Sequence, residues 1–315
     1  MKHSTTKAIF LTAALTLGFA GREALAGPGV VIDSSRLPEQ ARASLKRCIA
    51  KVRASHPEAF DRVAAAPAMA ASFDRTKRGP LASITLPLKA LGREALFPML
   101  NMVAVEGPNR GELSDTAWLA LRVSLLEAIG ILRDRRAEPV LEAILDGGPP
   151  EYEIDRAAAQ ALARIGSDEA AGKLIAMARA PGPKRLAALT GIGDCRRAAV
   201  AEALANLLAR HPAPEVAGVI ARSLGDVGNS WAWRTAVVAA SGEEEATRAT
   251  AARALVSAFA VYDGQARRLI GKAVLVVDHP STPALIEAAR AGAPADAAAE
   301  LDRLAERFAR NPIRR

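Results

Sequence analysis

From about Pro80 onward the sequence repeats one unit: an apolar helical stretch, a short turn with a glycine or polar residue, then a second apolar helical stretch. Five segments carry it most clearly, Leu88 to Leu100, Glu127 to Leu145, Ala161 to Ala178, Ala188 to Leu204 and Ser223 to Ala240, with a weaker copy at Ser257 to Val274. Aligned on the residue that opens each second helix, the copies fall at Arg93, Asp134, Ser167, Asp194, Asn229 and Asp263. The intervals are 41, 33, 27, 35 and 34 residues, within or near the range of two-helix repeats. A single helix pair has more apolar surface than it can bury, and stacking supplies the rest. The pattern predicts an all-α chain, an α–α superhelix (solenoid) of about five to six antiparallel helix pairs.

Turn chemistry supports the alignment. Asp, Ser and Asn at the opening position accept hydrogen bonds from the free N–H groups of the second helix. Gly166, Gly193 and Gly228 just before it tolerate the left-handed conformation in which the first helix tends to end. Pro98 and Pro139 share an offset near the first turn, where a missing N–H costs least.

Composition agrees with helix throughout. Half the residues are hydrophobic and 4% aromatic, and the β-branched runs expected of strands are missing. The formal charge is +8, but only 9 of the 42 basic residues are lysine, a bias that a GC-rich genome produces without any anionic partner. Net charge speaks to solubility and non-specific binding rather than to fold. Cys48 and Cys195 lie 147 positions apart, which in a stacked array places them beyond disulfide reach. Both read as buried apolar residues.

The ends differ from the repeats. Lys2 and Lys7 precede an apolar run from Ala8 to Ala20, followed by Ala24-Leu25-Ala26, the layout of a signal peptide cut after residue 26. The run is shorter than the roughly 20 residues a membrane helix needs. A helix is expected from about Ser35 to His56, with breaks at Pro57 and Pro67 and a loop from Ser72 to Pro80. The expected organisation is a signal peptide (1–26), an N-terminal helical cap and linker (27–80), the repeat array (81–280), and a C-terminal cap with a basic tail (281–315). The last helix is placed at Ala295 to Arg310, with Asn311 to Arg315 frayed.

The stretch from about 80 to 280 resembles HEAT repeats in the short form of the phycobilisome-lyase-type HEAT-like family. Asp155 to Arg179 (DRAAAQALARIGSDEAAGKLIAMAR) is the nearest match, followed by Glu127 to Leu145 with its Asp134 and Pro139. The resemblance implies a superhelix that binds macromolecules along its concave face. It is specific for fold and says little of function. Bilin attachment does not carry over, because no residue pattern here supports it.

Little in the sequence points to catalysis. His56, His211 and His279 each precede a proline at an expected helix end, where a partial positive charge is favourable. None has a second His, Cys or carboxylate at metal-ligand spacing, so no metal and no cofactor is expected. The paired His-Glu motifs of HEAT-type deoxyhypusine hydroxylases are missing, since the chain holds no His-Glu dipeptide. No G-x-S-x-G is present, and the three histidines lie where a triad is hard to assemble. Leu189 to Asp194 (LTGIGD) follows a helix and lacks the Walker lysine, so it reads as a repeat turn. Glu243, Glu244 and Glu245 read as the acidic opening of a helix. Trp118 reads as core.

One segment departs from its repeat. In Asn229-Ser230-Trp231-Ala232-Trp233-Arg234, two of the chain's three tryptophans open a second helix two residues apart, about 200° apart around it. One Trp belongs in the core, and the other, with Arg234, suits a partner surface, since Trp and Arg are enriched in binding hot spots. The candidate partner-binding residues are therefore Asn229, Trp231, Trp233 and Arg234. The expected function is a non-enzymatic scaffold of the cell envelope, periplasmic or secreted, that binds a protein. The first alternative is a basic solenoid holding anionic polymer, lipopolysaccharide or nucleic acid, motivated by Arg303, Arg307, Arg310, Arg314 and Arg315. The second is an enzyme like the HEAT-like alkylpurine DNA glycosylases, motivated loosely by Asp226, Trp231, Trp233 and Arg234. Export weighs against the glycosylase reading, and nucleic acid is not the expected partner.

Overall fold

The structure is a computed structural model that describes residues 28–311. The expected signal peptide and the tail residues Arg314 and Arg315 lie outside the described residues. Among the described residues the chain is all-helical, with no β-strand. The N-terminal helices are α1 (Glu39–Ser55), α2 (Pro57–Ala64), α3 (Ala66–Thr76), α4 (Thr85–Ala90) and α5 (Leu96–Ala104). The middle holds α6 (Asp115–Leu132), α7 (Glu138–Asp146), α8 (Tyr152–Ile165), α9 (Asp168–Arg179), α10 (Arg185–Gly191) and α11 (Ala198–Leu208). The remainder is α12 (Pro214–Val227), α13 (Ala236–Ala239), α14 (Glu244–Val261), α15 (Gly264–Val277), α16 (Thr282–Ala291) and α17 (Ala295–Ala309). No helix among these residues is long and apolar enough to cross a membrane.

The breaks expected at Pro57 and Pro67 are present, and each proline opens the helix that follows. Pro57 and Pro67 sit in the first turns of α2 and α3, positions that need no N–H partner. Two expected boundaries move. The loop begins after Thr76, because Ser72 to Thr76 belong to α3, and the first helix starts at Glu39 behind a short 3-10 turn, Ser34–Arg36. At the other end Asn311 is buried and donates from Nδ2 to the Leu275 carbonyl at 2.9 Å. It is held in place rather than frayed.

Two successions of helices organise the packing. Helices α6, α8, α10, α12 and α15 each pack on the next. Their partners α9, α11, α14 and α16 pack in order beside them, with α7 seated on α8. Small residues set the closeness of the first succession. A Cβ on Gly130 of α6 would stand 2.5 Å from the Ala161 Cα of α8, and one on Gly191 would stand 2.7 Å from the Ala159 Cβ. That contact also revises the glycine reading. Gly166 does take a left-handed φ of 69°, but Gly193 and Gly228 do not. They are small because Asp226 and Val277 approach to 2.9 Å of where a Cβ would be.

The alignment of the repeats needs correction at Asp194 and Asn229: Asp194 ends a 3-10 turn short of α11 and caps none of its N–H groups. Asn229 opens no second helix: a 3-10 turn (Ala232–Arg234) and the four-residue α13 follow it. The helix that stands beside α12 and stacks on α11 is α14. Residues 229–243 are thus an excursion between paired helices. Asp263 accordingly opens α15, which belongs to the first succession. The weak copy at Ser257 to Val274 straddles two neighbouring units.

Arginine ties the helices together. Arg133 Nη1 donates to the Arg164 carbonyl at 2.8 Å, Arg197 Nη1 to the Gly166 carbonyl at 3.0 Å, and Arg248 Nη2 to the Asp278 carbonyl at 2.9 Å. These carbonyls close helices and lack intrahelical donors. Glu243 reaches back to cap α11, accepting from the Ala198 N–H at 2.7 Å while pairing with Arg197. The deepest ion pair joins Lys184 and Asp155 at 2.9 Å, their side chains 13% and 3% exposed. These basic side chains thus serve the chain's own helix ends and carboxylates.

Candidate functional site

The excursion at 229–243 places the four predicted residues together and gives them different tasks. The Asn229 Oδ1 accepts from the backbone N–H of Trp231 at 3.0 Å and of Ala232 at 3.3 Å, a side-chain turn that bends the chain away from α12. The Ser230 N–H donates to the Val276 carbonyl at 3.2 Å and pins the bend to α15. Trp233 is 2% exposed and its indole N–H donates to the Val227 carbonyl at 2.9 Å. That bond satisfies the one polar atom the buried ring carries. Asn229 and Trp233 hold the segment in shape.

Trp231 and Arg234 face outward. Trp231 is 56% exposed, and the Arg234 guanidinium carbon lies 4.3 Å from its ring centroid. Such stacking is worth about 0.5–1 kcal/mol at an exposed site and orients both side chains. Val237 on α13 adds a second large exposed apolar group at 69%.

The same excursion borders an open pocket of about 220 Å³. Val237, Val238 and Ser241 form one wall, and Arg133, Asp194, Arg196 and Arg197 the other. Burial opposes ionisation of Asp194, but Arg164 and Arg196 outweigh it and hold its carboxyl below the usual carboxylate range. The neighbouring Asp226 moves the opposite way. Burial pushes its carboxyl up, and the charge on Asp194 adds to the shift. Burial and the nearby Arg196 lower the Arg133 guanidinium. Most guanidinium donors around the pocket are engaged within the chain: Arg197 bonds Glu243, the Gly166 carbonyl and Asp168, and Arg196 bonds Asp194 twice.

Two other groups were missed in the sequence. His279 is buried, with Nδ1 2.7 Å from the Ser281 Oγ and Nε2 3.2 Å from the Glu245 carboxylate. The order of the three is that of a triad, which the positions of the histidines had argued against. The Ser281 backbone N–H also donates to Nδ1, at 3.2 Å, so a local turn opening α16 accounts for the contact. His56 likewise has carboxylate neighbours, Glu58 and Glu94, contrary to the expectation that none stood at ligand spacing. Glu58 is two positions away and was legible; Glu94 required the fold. No family model matches this chain, and no curated protein matches it.

Proposed function

We propose that this chain is an exported, non-enzymatic scaffold of the cell envelope, a HEAT-like α–α superhelix that holds a protein partner. The two ordered successions of packed helices support the superhelical reading, and the signal-like N-terminus supports export. The observation that carries partner binding is Trp231, left 56% exposed on an excursion otherwise secured by buried bonds. Large aromatics exposed beside arginine mark interface hot spots. Loops on a rigid frame are where binding residues concentrate.

The test is affinity capture from envelope extract with residues 27–315, run at low and high salt beside Trp231→Ala and Arg234→Ala. A protein retained by the parent chain at high salt and lost with Trp231→Ala, at unchanged helicity, supports this reading. Equal retention by all three chains removes the patch from it. Loss of every ligand at high salt favours the anionic-polymer alternative, for which the exposed Lys46, Arg47 and Lys51 on α1 offer a basic face.

A further inference from the structure

We propose that His56, Glu58 and Glu94 form a binding site for a divalent transition metal, with Zn²⁺ the best match to their chemistry. The three residues come from two parts of the chain. His56 sits between α1 and α2, its N–H bonded to the Val52 carbonyl at 2.7 Å and its carbonyl accepting from Ala59 at 3.1 Å. Glu58 lies in the first turn of α2. Glu94 belongs to the 3-10 turn Arg93–Ala95 that leads into α5, and α2 packs on that turn. Packing therefore brings Glu94 to the imidazole from 38 positions away.

The spacing fits a metal better than it fits direct bonding. The Nδ1 of His56 and the Oε1 of Glu58 are 3.5 Å apart, too long for a good hydrogen bond. Two ligands bound tetrahedrally to one ion at about 2.0–2.2 Å stand about 3.4 Å apart. One ligand atom from each of the three residues lies within 4.8 Å of the others, so Glu94 completes the set by a side-chain rotation. Arg62 contacts one oxygen of Glu94, at 3.8 Å, and the carboxylate keeps its second oxygen for an ion.

Ligand type selects the metal. Imidazole with two carboxylates suits Zn²⁺, whereas Mg²⁺ and Ca²⁺ take oxygen ligands alone. Three protein ligands leave a fourth position for water. Glu58 alone is accounted for by the helix dipole of α2; the approach of Glu94 to the same imidazole is not. An ion here would tie the N-terminal helices to the element that starts α5.

Calorimetric titration of the untagged chain with ZnCl₂ tests the site. Expected are one ion bound per chain, a rise in unfolding temperature, and no response to millimolar MgCl₂. His56→Ala abolishes binding, and Glu94→Gln weakens it by about tenfold or more. All three side chains are at least 42% exposed, so the variants retain the parent's circular dichroism. No zinc uptake by the parent chain, or equal uptake by both variants, overturns the proposal.

Discussion

Gly130 meets Ala161 so closely that a single added carbon would stand 2.5 Å from the Ala161 Cα. Backbone occupies that place, and backbone cannot turn aside. Gly130→Ala should lower stability by about 1–3 kcal/mol, read as a lower urea midpoint. Gly172 provides the control: it is exposed on α9 with nothing within 4 Å of a Cβ. Gly172→Ala should raise stability by about 0.4–1 kcal/mol. Equal effects of the two substitutions would refute the close-packing account of α6 on α8.

Removing one member of the Lys184–Asp155 pair strands the other. Lys184 also donates to the carbonyls of Ile144 and Gly147 at 2.9 and 2.7 Å. Lys184→Ala should cost about 3–5 kcal/mol, because Asp155 then keeps a buried charge. Adding Asp155→Leu in the same chain should recover part of that loss. Chemical denaturation of the single and double variants measures both.

Asp194 and Asp226 respond to acid in opposite senses. The folded carboxyl of Asp194 titrates below its unfolded value, so its contribution is present above the unfolded value of 3.8 and is lost as pH falls through the folded one. Asp226 titrates above 3.8 when folded, so its charge destabilises the fold as pH rises past that range. Asp226→Asn should therefore raise the urea midpoint at pH 7, with the gain vanishing below about pH 3.8. Asp194→Asn should lower the midpoint at pH 7. Denaturation curves across pH give both signs, and a pH-independent gain for Asp226→Asn would contradict the charge argument.

The two thiols should separate cleanly by reactivity. Cys195 is fully buried, and burial pushes its thiol up to about 12. Cys48 is half-buried on α1. With Ellman's reagent the native protein should release one equivalent of thionitrobenzoate at pH 8, and two in denaturant. Rapid release of two from the native state would mean that the Cys195 environment opens.

Helix was readable from the sequence because alanine-rich apolar periodicity repeats between turn residues, as at Ser167, which caps α9 by accepting from Ala170 N–H at 3.0 Å. The boundary at Asn229 was not. The Asx turn there mimics a helix cap over two residues, and the four-residue α13 continues the apolar pattern without building a second helix. Trp231 and Trp233 were separable only as one in and one out. Which one is buried depends on the Val227 carbonyl that accepts from the indole of Trp233. The proximity of Glu94 to His56 depends on tertiary packing alone. Spacing along the chain carries no trace of it.

The excursion at 229–243 interrupts the chain between two helices that are each fastened elsewhere, α12 to α10 and α15, α14 to α11 and α16. Its length therefore has little bearing on how those helices meet. This makes it the natural port for engineering: a foreign loop or short epitope inserted near the exposed Ala239 and Ala240 adds a new surface while the flanking helices keep their seats.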